Sequence, residues 1–423
     1  MSDELISILV LVVVFVVATT RSINMGALSF AAAFGVGELV AGFDADQIFA
    51  GFPGDLFVVL VGVTYLFALA RANGTTDWLV HAAIRLVGGR VALIPWVMFA
   101  ISGVLTAIGA VSPAAVAIVA PLALSFAARY RISPLLMGAM VVHGAQGGGF
   151  SPISIYGSIV NGIVEREKLP GNEVTLFLAS LVVNLLIAAV VFVVCGGLKL
   201  PRTDPAAAAA SEEEKEAVAS DADTRLTPAR IATLVALVAL VVAVLAFDLD
   251  AGLTAITLAV ALSVVWPDHG KRAVNEVTWP TVLLICGVLT YVGVLDEMGT
   301  ITYAGNAVTD IGVPLLAALL LCYIGAIISA FASSVGIMGA LIPLAVPFLS
   351  QGHIGAVGMI AALTVSATVV DISPFSTNGA LVLAAAPDVD RDRFFRQLMI
   401  YGGIMVVVVP AAVWLTMVVP GLG

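Results

Sequence analysis

Ser151-Pro152-Ile153-Ser154-Ile155-Tyr156-Gly157 and Ser373-Pro374-Phe375-Ser376-Thr377-Asn378-Gly379 share one pattern, Ser-Pro-x-Ser-x-x-Gly, at positions 222 apart. The same offset aligns 106–160 with 328–382 without a gap, and 15 of the 55 pairs are identical. Ser112 falls on Ser334, and Pro121-Leu122-Ala123 on Pro343-Leu344-Ala345. Earlier segments match near an offset of 225, as Gly62 with Gly287 and Gly74-Thr75 with Gly299-Thr300. Chance likeness among Ala/Val/Leu helices does not put two motifs at one offset, so the chain reads as an internal repeat. Residues 1–200 and 227–423 are the two copies, and the Pro-, Ala- and acid-rich segment 201–226 links them.

Composition identifies the surroundings. Of 423 residues, 61% are hydrophobic and 11% charged, with a mean hydropathy of +1.12. Soluble chains carry about a quarter charged residues, so soluble, disordered, collagen-like and secreted disulfide-rich classes are all excluded. Cys195, Cys286 and Cys322 sit in or beside apolar runs without metal or disulfide spacing. Of the net charge of -10, residues 211–223 supply half, with six acids against one lysine. No basic patch suits nucleic acid. The N-terminus has acids where a signal peptide needs basic residues, and it reads as the first span.

Apolar segments fall at about 4–20, 24–43, 54–72, 91–110, 112–128, 132–164, 173–197, 228–246, 250–267, 278–296, 313–330, 334–350, 354–386 and 394–420. Short amphipathic stretches at 75–87 and 300–312 are expected to lie along the interface. We expect an all-α polytopic membrane protein of two inverted-topology repeats, each with five spans, a re-entrant hairpin (91–128 and 313–350) and a helix broken at the midplane. An odd number of crossings per half inverts one against the other. Under this topology 16 of the 18 Lys and Arg share one face, leaving only Arg166 and Lys168 opposite. That face is cytoplasmic, with the linker; both termini are outside, in a cell inner membrane.

Broken helices in inverted repeats put a substrate site at the midplane. Four segments qualify. The first hairpin turns at Gly109-Ala110-Val111-Ser112-Pro113-Ala114, with Ser112 expected as N-cap and Pro113 in the first turn. The second turns at Phe331-Ala332-Ser333-Ser334-Val335-Gly336. The breaks are Gly147-Gly148-Gly149-Phe150-Ser151-Pro152-Ile153-Ser154 and Asp371-Ile372-Ser373-Pro374-Phe375-Ser376-Thr377-Asn378-Gly379. Helix N-termini exposed at such breaks attract anions, while freed carbonyls and Ser, Thr and Asn oxygens suit Na⁺. The substrate candidates are Ser112, Pro113, Ser151, Pro152, Ser154, Ser333, Ser334, Ser373, Pro374, Ser376 and Thr377. The Na⁺ candidates are Ala110, Ser112, Gly148, Gly149, Ala332, Ser334, Asp371, Thr377 and Asn378. A lone intramembrane carboxylate such as Asp371 binds a cation, carries a proton or caps the following helix. His143 is either a bonded core histidine or a proton site.

These paired hairpins and paired broken helices resemble the ion transporter superfamily, which includes divalent-anion/sodium symporters and citrate carriers. Within it, GAQGGGFSPISIYGSIVNGIV at 144–164 and the N-terminal half are most similar to dicarboxylate carriers of the MatC (malonate) type. The resemblance implies a homodimer, a scaffold near 1–72 and 228–296, and a mobile elevator domain holding both hairpins and both breaks. It further implies Na⁺-coupled import of a small dicarboxylate, malonate or a C4 acid, with no organic cofactor and no enzymatic step. Divalent-anion symporters carry Ser-Asn-Thr at each hairpin tip; here the matching positions read Ser112-Pro113-Ala114 and Ser334-Val335-Gly336. The serines carry over and the Asn and Thr do not. That departure leaves open a proton-coupled organic-anion or citrate carrier, and a cation/proton antiporter of the same superfamily. A serine hydrolase has no Gly-x-Ser-x-Gly elbow to stand on.

Overall fold

Short polar side chains start the helices. Asn24, Asp44, Ser133, Asn172, Asp250 and Asp390 each accept a hydrogen bond from a backbone N–H in the first turn that follows, which satisfies one of the donors a helix start leaves unpaired. The computed structural model describes residues 2–21, 23–85, 90–200, 226–247, 249–301, 303, 314–330, 334–349, 354–386 and 389–421. Among these there is no strand.

The first half contains α1 (Asp3–Arg21), α2 (Met25–Leu39), α3 (Ala45–Ala50), α4 (Gly54–Ala72), α5 (Thr75–Arg85), α6 (Ile94–Ala107), α7 (Ser112–Arg129), α8 (Pro134–Gly148), α9 (Ile155–Arg166) and α10 (Glu173–Val194). The second contains α11 (Pro228–Phe247), α12 (Ala251–Val265), α13 (Pro267–Asn275), α14 (Trp279–Glu297), α15 (Pro314–Ser329), α16 (Ser334–Leu349), α17 (Ala356–Val369), α18 (Thr377–Ala385) and α19 (Arg391–Val413), which runs on into a π-helical turn at Trp414–Val418. The linker at 201–225 and most of 300–312 lie outside the described residues.

Among the described residues, five helices are long and apolar enough to cross a membrane by length and composition: α4, α7, α10, α14 and α19 with its π turn. Others are shorter than the ten full spans expected. α2 has 15 residues, about 22 Å of helix against a hydrocarbon core of about 30 Å. Part of the shortfall lies in the interrupted segments, where α8 is followed by α9 and α17 by α18 across a short break. The interruptions fall at 149–154 and 370–376, where the Gly and Ser-Pro runs predict them.

Helices at matching positions trade partners between the halves. α2 packs on α14, and its counterpart α12 packs on α4. At the first crossing, a Cβ on Gly287 would meet the Gly26 carbonyl oxygen at 2.0 Å; at the second, a Cβ on Gly62 would meet that of Gly252 at 2.4 Å. Only a missing side chain permits such backbone contact. The Asn24 side chain adds a tie, donating to the Pro280 carbonyl at 2.9 Å. The short helices α3 and α13 follow the same rule, lying on α14 and α4. Within each half α6 packs on α8 and α15 on α17, while α7 reaches α18 and α16 reaches α9.

The turn at 108–111 joins α6 to α7, and Gly109 makes it possible by adopting φ 116°. The N-cap of α7 is Val111, and Ser112 is the first helical residue. Ser112 therefore does not cap the helix as expected: Pro113 already removes one N–H needing a partner, and the Ser112 hydroxyl is used elsewhere. At its other end α7 stops with Arg131 at φ 54°, a left-handed position that costs a side-chain-bearing residue roughly 1–2 kcal/mol and where glycine is usual.

Candidate functional site

The repeated motif is first of all a capped turn. The second serine of each copy is a helix N-cap. Ser154 Oγ accepts from Gly157 N at 3.2 Å and shares its proton between the Gly149 and Ser151 carbonyls. Ser376 Oγ accepts from Gly379 N at 3.4 Å and donates to Ser373 O at 2.7 Å. The closing glycine lies against the first serine's carbonyl, where a Cβ would fall 2.0 Å from Ser151 O or 1.9 Å from Ser373 O. Thus Ser-x-x-Ser-x-x-Gly is the geometry that restarts a helix inside the bundle. Ser154→Ala and Ser376→Ala are each expected to lower stability by about 1 kcal/mol, read as a fall in thermal midpoint.

The first serines differ between copies. Ser151 Oγ donates to Ala107 O at 2.5 Å, tying the first break to the end of α6. Ser373 Oγ accepts from Phe375 N at 3.3 Å. Ser334 Oγ pairs with Ser329 Oγ at 2.8 Å, and Thr377 is exposed. Ala110, Gly148, Gly149 and Pro374 are buried, and Pro113 and Pro152 half-buried, around the same breaks. Ala332 and Ser333 lie outside the described residues.

The chemistry converges on Asp371, which is 4% exposed. Its Oδ2 accepts from Asn378 Nδ2 at 2.9 Å and from Gln146 Nε2 at 3.2 Å, and its Oδ1 accepts from Asn378 N at 3.4 Å. Asn378 Nδ2 also donates to Ser112 Oγ at 2.8 Å. One cluster therefore joins the tip of the first hairpin, the first broken helix and the second break. Tyr156, in α9, adjoins Ser112 and lies near Asp371. Two carbonyl oxygens of the cluster, Asn378 Oδ1 and Gln146 Oε1, are buried without any hydrogen-bond partner. Such orphaned acceptors are rare in folded proteins.

Gln146 was not singled out from sequence, although a fully buried amide in an apolar helix is itself a signal, because it must find partners. His143, one turn earlier, is bonded at both nitrogens: Nδ1 to Asn184 Oδ1 at 2.9 Å and Nε2 to the Tyr401 hydroxyl at 2.6 Å. Asn184 donates to Ser180 O at 2.9 Å, and Ser180 Oγ donates to Gln146 O at 3.0 Å. A line of polar groups thus runs from α19 to the Asp371 cluster. Among the described residues, no three His, Cys, Asp or Glu side chains converge as a metal site. The donors at the centre are one carboxylate, amides and hydroxyls, which are hard oxygen ligands.

Residues 1–149 match the family model for the N-terminus of the dicarboxylate carrier protein MatC. The match takes in GAQGGG at 144–149 and ends before FSPISIYGSIVNGIV. Comparison with curated proteins finds no match. Among solved structures the chain is similar to the YdaH transporter of Alcanivorax borkumensis, described as having an unusual topology. The TM-score is 0.62 at 15% identity, over 88% of this chain and 89% of that one. At this identity the likeness is one of fold. The resemblance to MatC-type carriers read from the sequence is thus borne out over residues 1–149, in a multi-pass membrane protein with the fold of a transporter.

Proposed function

We propose that the protein is a secondary active transporter that imports small dicarboxylates, malonate or C4 acids, in symport with Na⁺. The observation that carries this reading is the cluster of Asp371, Asn378, Gln146 and Ser112, with two buried oxygens lacking partners. A buried carboxylate repels a dicarboxylate, and no Lys or Arg is present in either break or at either hairpin turn. A cation beside Asp371 removes the repulsion, and the orphaned oxygens are the ligands it needs. Charge balance then makes anion and cation enter together. Ser112, Ser334 and Thr377, with the helix starts at α7, α9, α16 and α18, hold the carboxylates through hydroxyls and N–H groups.

The reciprocal packing supports the reading of the halves as inverted repeats with re-entrant hairpins. The glycine crossings join α2 to α14 and α4 to α12, and we take these four helices as one body and α6–α10 with α15–α19 as another. We infer that the second body slides against the first, as an elevator, in a homodimer. The expected result with protein reconstituted in vesicles is malonate or succinate uptake accelerated by an inward Na⁺ gradient. Uptake driven by a proton gradient and indifferent to Na⁺ overturns the coupling and makes Asp371 and His143 the candidate proton sites. Absence of any carboxylate uptake overturns the function.

A further inference from the structure

α10 and α19 both pack on α8 and α17 but leave between them a cleft of about 650 Å³. It is lined mainly by apolar side chains such as Leu135, Ile187, Val191, Met405 and Val409, with Tyr401, Gln397 and Thr416 among them. An apolar cavity does not fill with water. The cleft does not end blindly. Cys195 lines both it and a second cavity of about 490 Å³ that reaches Arg131, and Gln397 lines both it and a third of about 360 Å³ that reaches Arg393. The second and third cavities share Ser133, Pro134 and Val389. The three cavities adjoin through these shared walls, apolar around α10 and α19 and more polar toward Arg131 and Arg393.

The polar end carries net positive charge. Segments 129–131 and 388–396 hold five arginines against three aspartates. Asp390 also lines the third cavity, but its carboxylate accepts from Arg393 N at 3.1 Å as a helix cap. Arg131 stands at φ 54°, where a glycine would end α7 without strain. The position carries a cation at a conformational cost, and that cation lines the second cavity.

We propose that this space is a site for one anionic phospholipid. An acyl chain fills the cleft between α10 and α19, and the phosphate sits between Arg131 and Arg393. Basic pockets between membrane helices take anionic headgroups in this way. The seat is not remote from the centre. Tyr401 lines the cleft and bonds His143 at 2.6 Å, so the lipid supports the same side chain that leads through Asn184 and Ser180 to Gln146. The inference is independent of which solute is carried.

The test uses the full-length protein exchanged into detergent with equal amounts of phosphatidylglycerol, phosphatidylethanolamine and phosphatidylcholine, followed by native mass spectrometry. One phosphatidylglycerol per protomer is expected to remain bound, preferred about thirty-fold over phosphatidylcholine, or about five-fold per arginine. Arg131→Gly with Arg393→Gln is expected to reduce the preference to within about two-fold. Arg131→Gly also relieves the helix stop, so the lipid-free thermal midpoint holds or rises and misfolding is separated from lost binding. Ile404→Trp fills the cleft and is expected to abolish retention of every lipid at unchanged oligomeric mass. Equal retention of all three lipids overturns the proposal, as does retention untouched by either variant. Inorganic phosphate alone displacing the bound lipid overturns it as well. A changed oligomeric mass in Ile404→Trp also does so, because it makes a second copy of the chain the occupant.

Discussion

Asp371→Asn is expected to lower Na⁺-driven dicarboxylate uptake about a hundredfold while leaving the fold intact. The carboxylate accepts three N–H groups, from the side chains of Gln146 and Asn378 and from the Asn378 backbone. An asparagine keeps the shape and can use the free Gln146 Oε1 or Asn378 Oδ1 as an acceptor for its own NH₂. Removing one buried charge is thermally neutral or stabilising, since a carboxylate in a low-dielectric interior costs several kcal/mol. What disappears is the anchor for the cation. Hydrogen bonds and contacts to a charged group are worth about 1.5–3 kcal/mol, and the upper end corresponds to roughly a hundredfold in rate or affinity. Initial uptake rates across a Na⁺ series, with a thermal midpoint on the same sample, check both halves of the expectation. An Asp371→Asn protein that keeps wild-type Na⁺ dependence removes Asp371 from the coupling site.

Gly148→Ala is expected to be among the most damaging single-methyl changes in the molecule. A Cβ at Gly148 would lie 1.9 Å from the Gly103 carbonyl oxygen and 2.5 Å from Thr106 Oγ1. The first is backbone in the middle of α6 and cannot turn aside, so α6 and α8 must separate. Overpacking costs 1–3 kcal/mol or more; with backbone as the obstacle we expect about 3 kcal/mol, a fall in midpoint of roughly 3–4 °C for a chain of 423 residues. Gly403→Ala is the control. It lies in α19 with nothing within 4 Å of a new Cβ, and alanine in place of glycine in a helix is worth up to about 1 kcal/mol of stabilisation. If the two variants melt alike, the close approach of α6 and α8 is wrong.

Much of the helix layout was legible because apolar runs and Gly, Pro and Ser punctuation are local signals. α4, read at 54–72, occupies Gly54–Ala72, and the interrupted spans break at the Gly and Ser-Pro runs. α3 and α13 carry no such signal. ADQIFA at 45–50 and PDHGKRAVN at 267–275 lie in the punctuation itself and are too short for a periodic signal, although Asp44 and Gln47 form a capping box. Partner choice was not legible at all. A helix apolar on every side has no preferred face, so nothing in α2 announces α14 until Gly26 and Gly287 are seen in contact. At the site, residue types pointed to the right breaks but not to the division of labour. Ser154 and Ser376 serve as caps, Ser112 bonds Asn378, and Gln146 becomes visible only once α8 lies against the second break.

The exchanged crossings also set a timetable. α4 meets its partner through Gly62 and Gly252, so some 190 residues of chain separate the two faces. At 5–20 residues per second, synthesis of that interval takes roughly 10–40 s. Throughout it, the bare backbone face of α4 stands in the bilayer with nothing to cover it, and the same holds for α2 until Gly287 emerges. Neither pair can close within its own half, so the synthesis of α12 and α14, not insertion of the first helices, sets when these crossings can form.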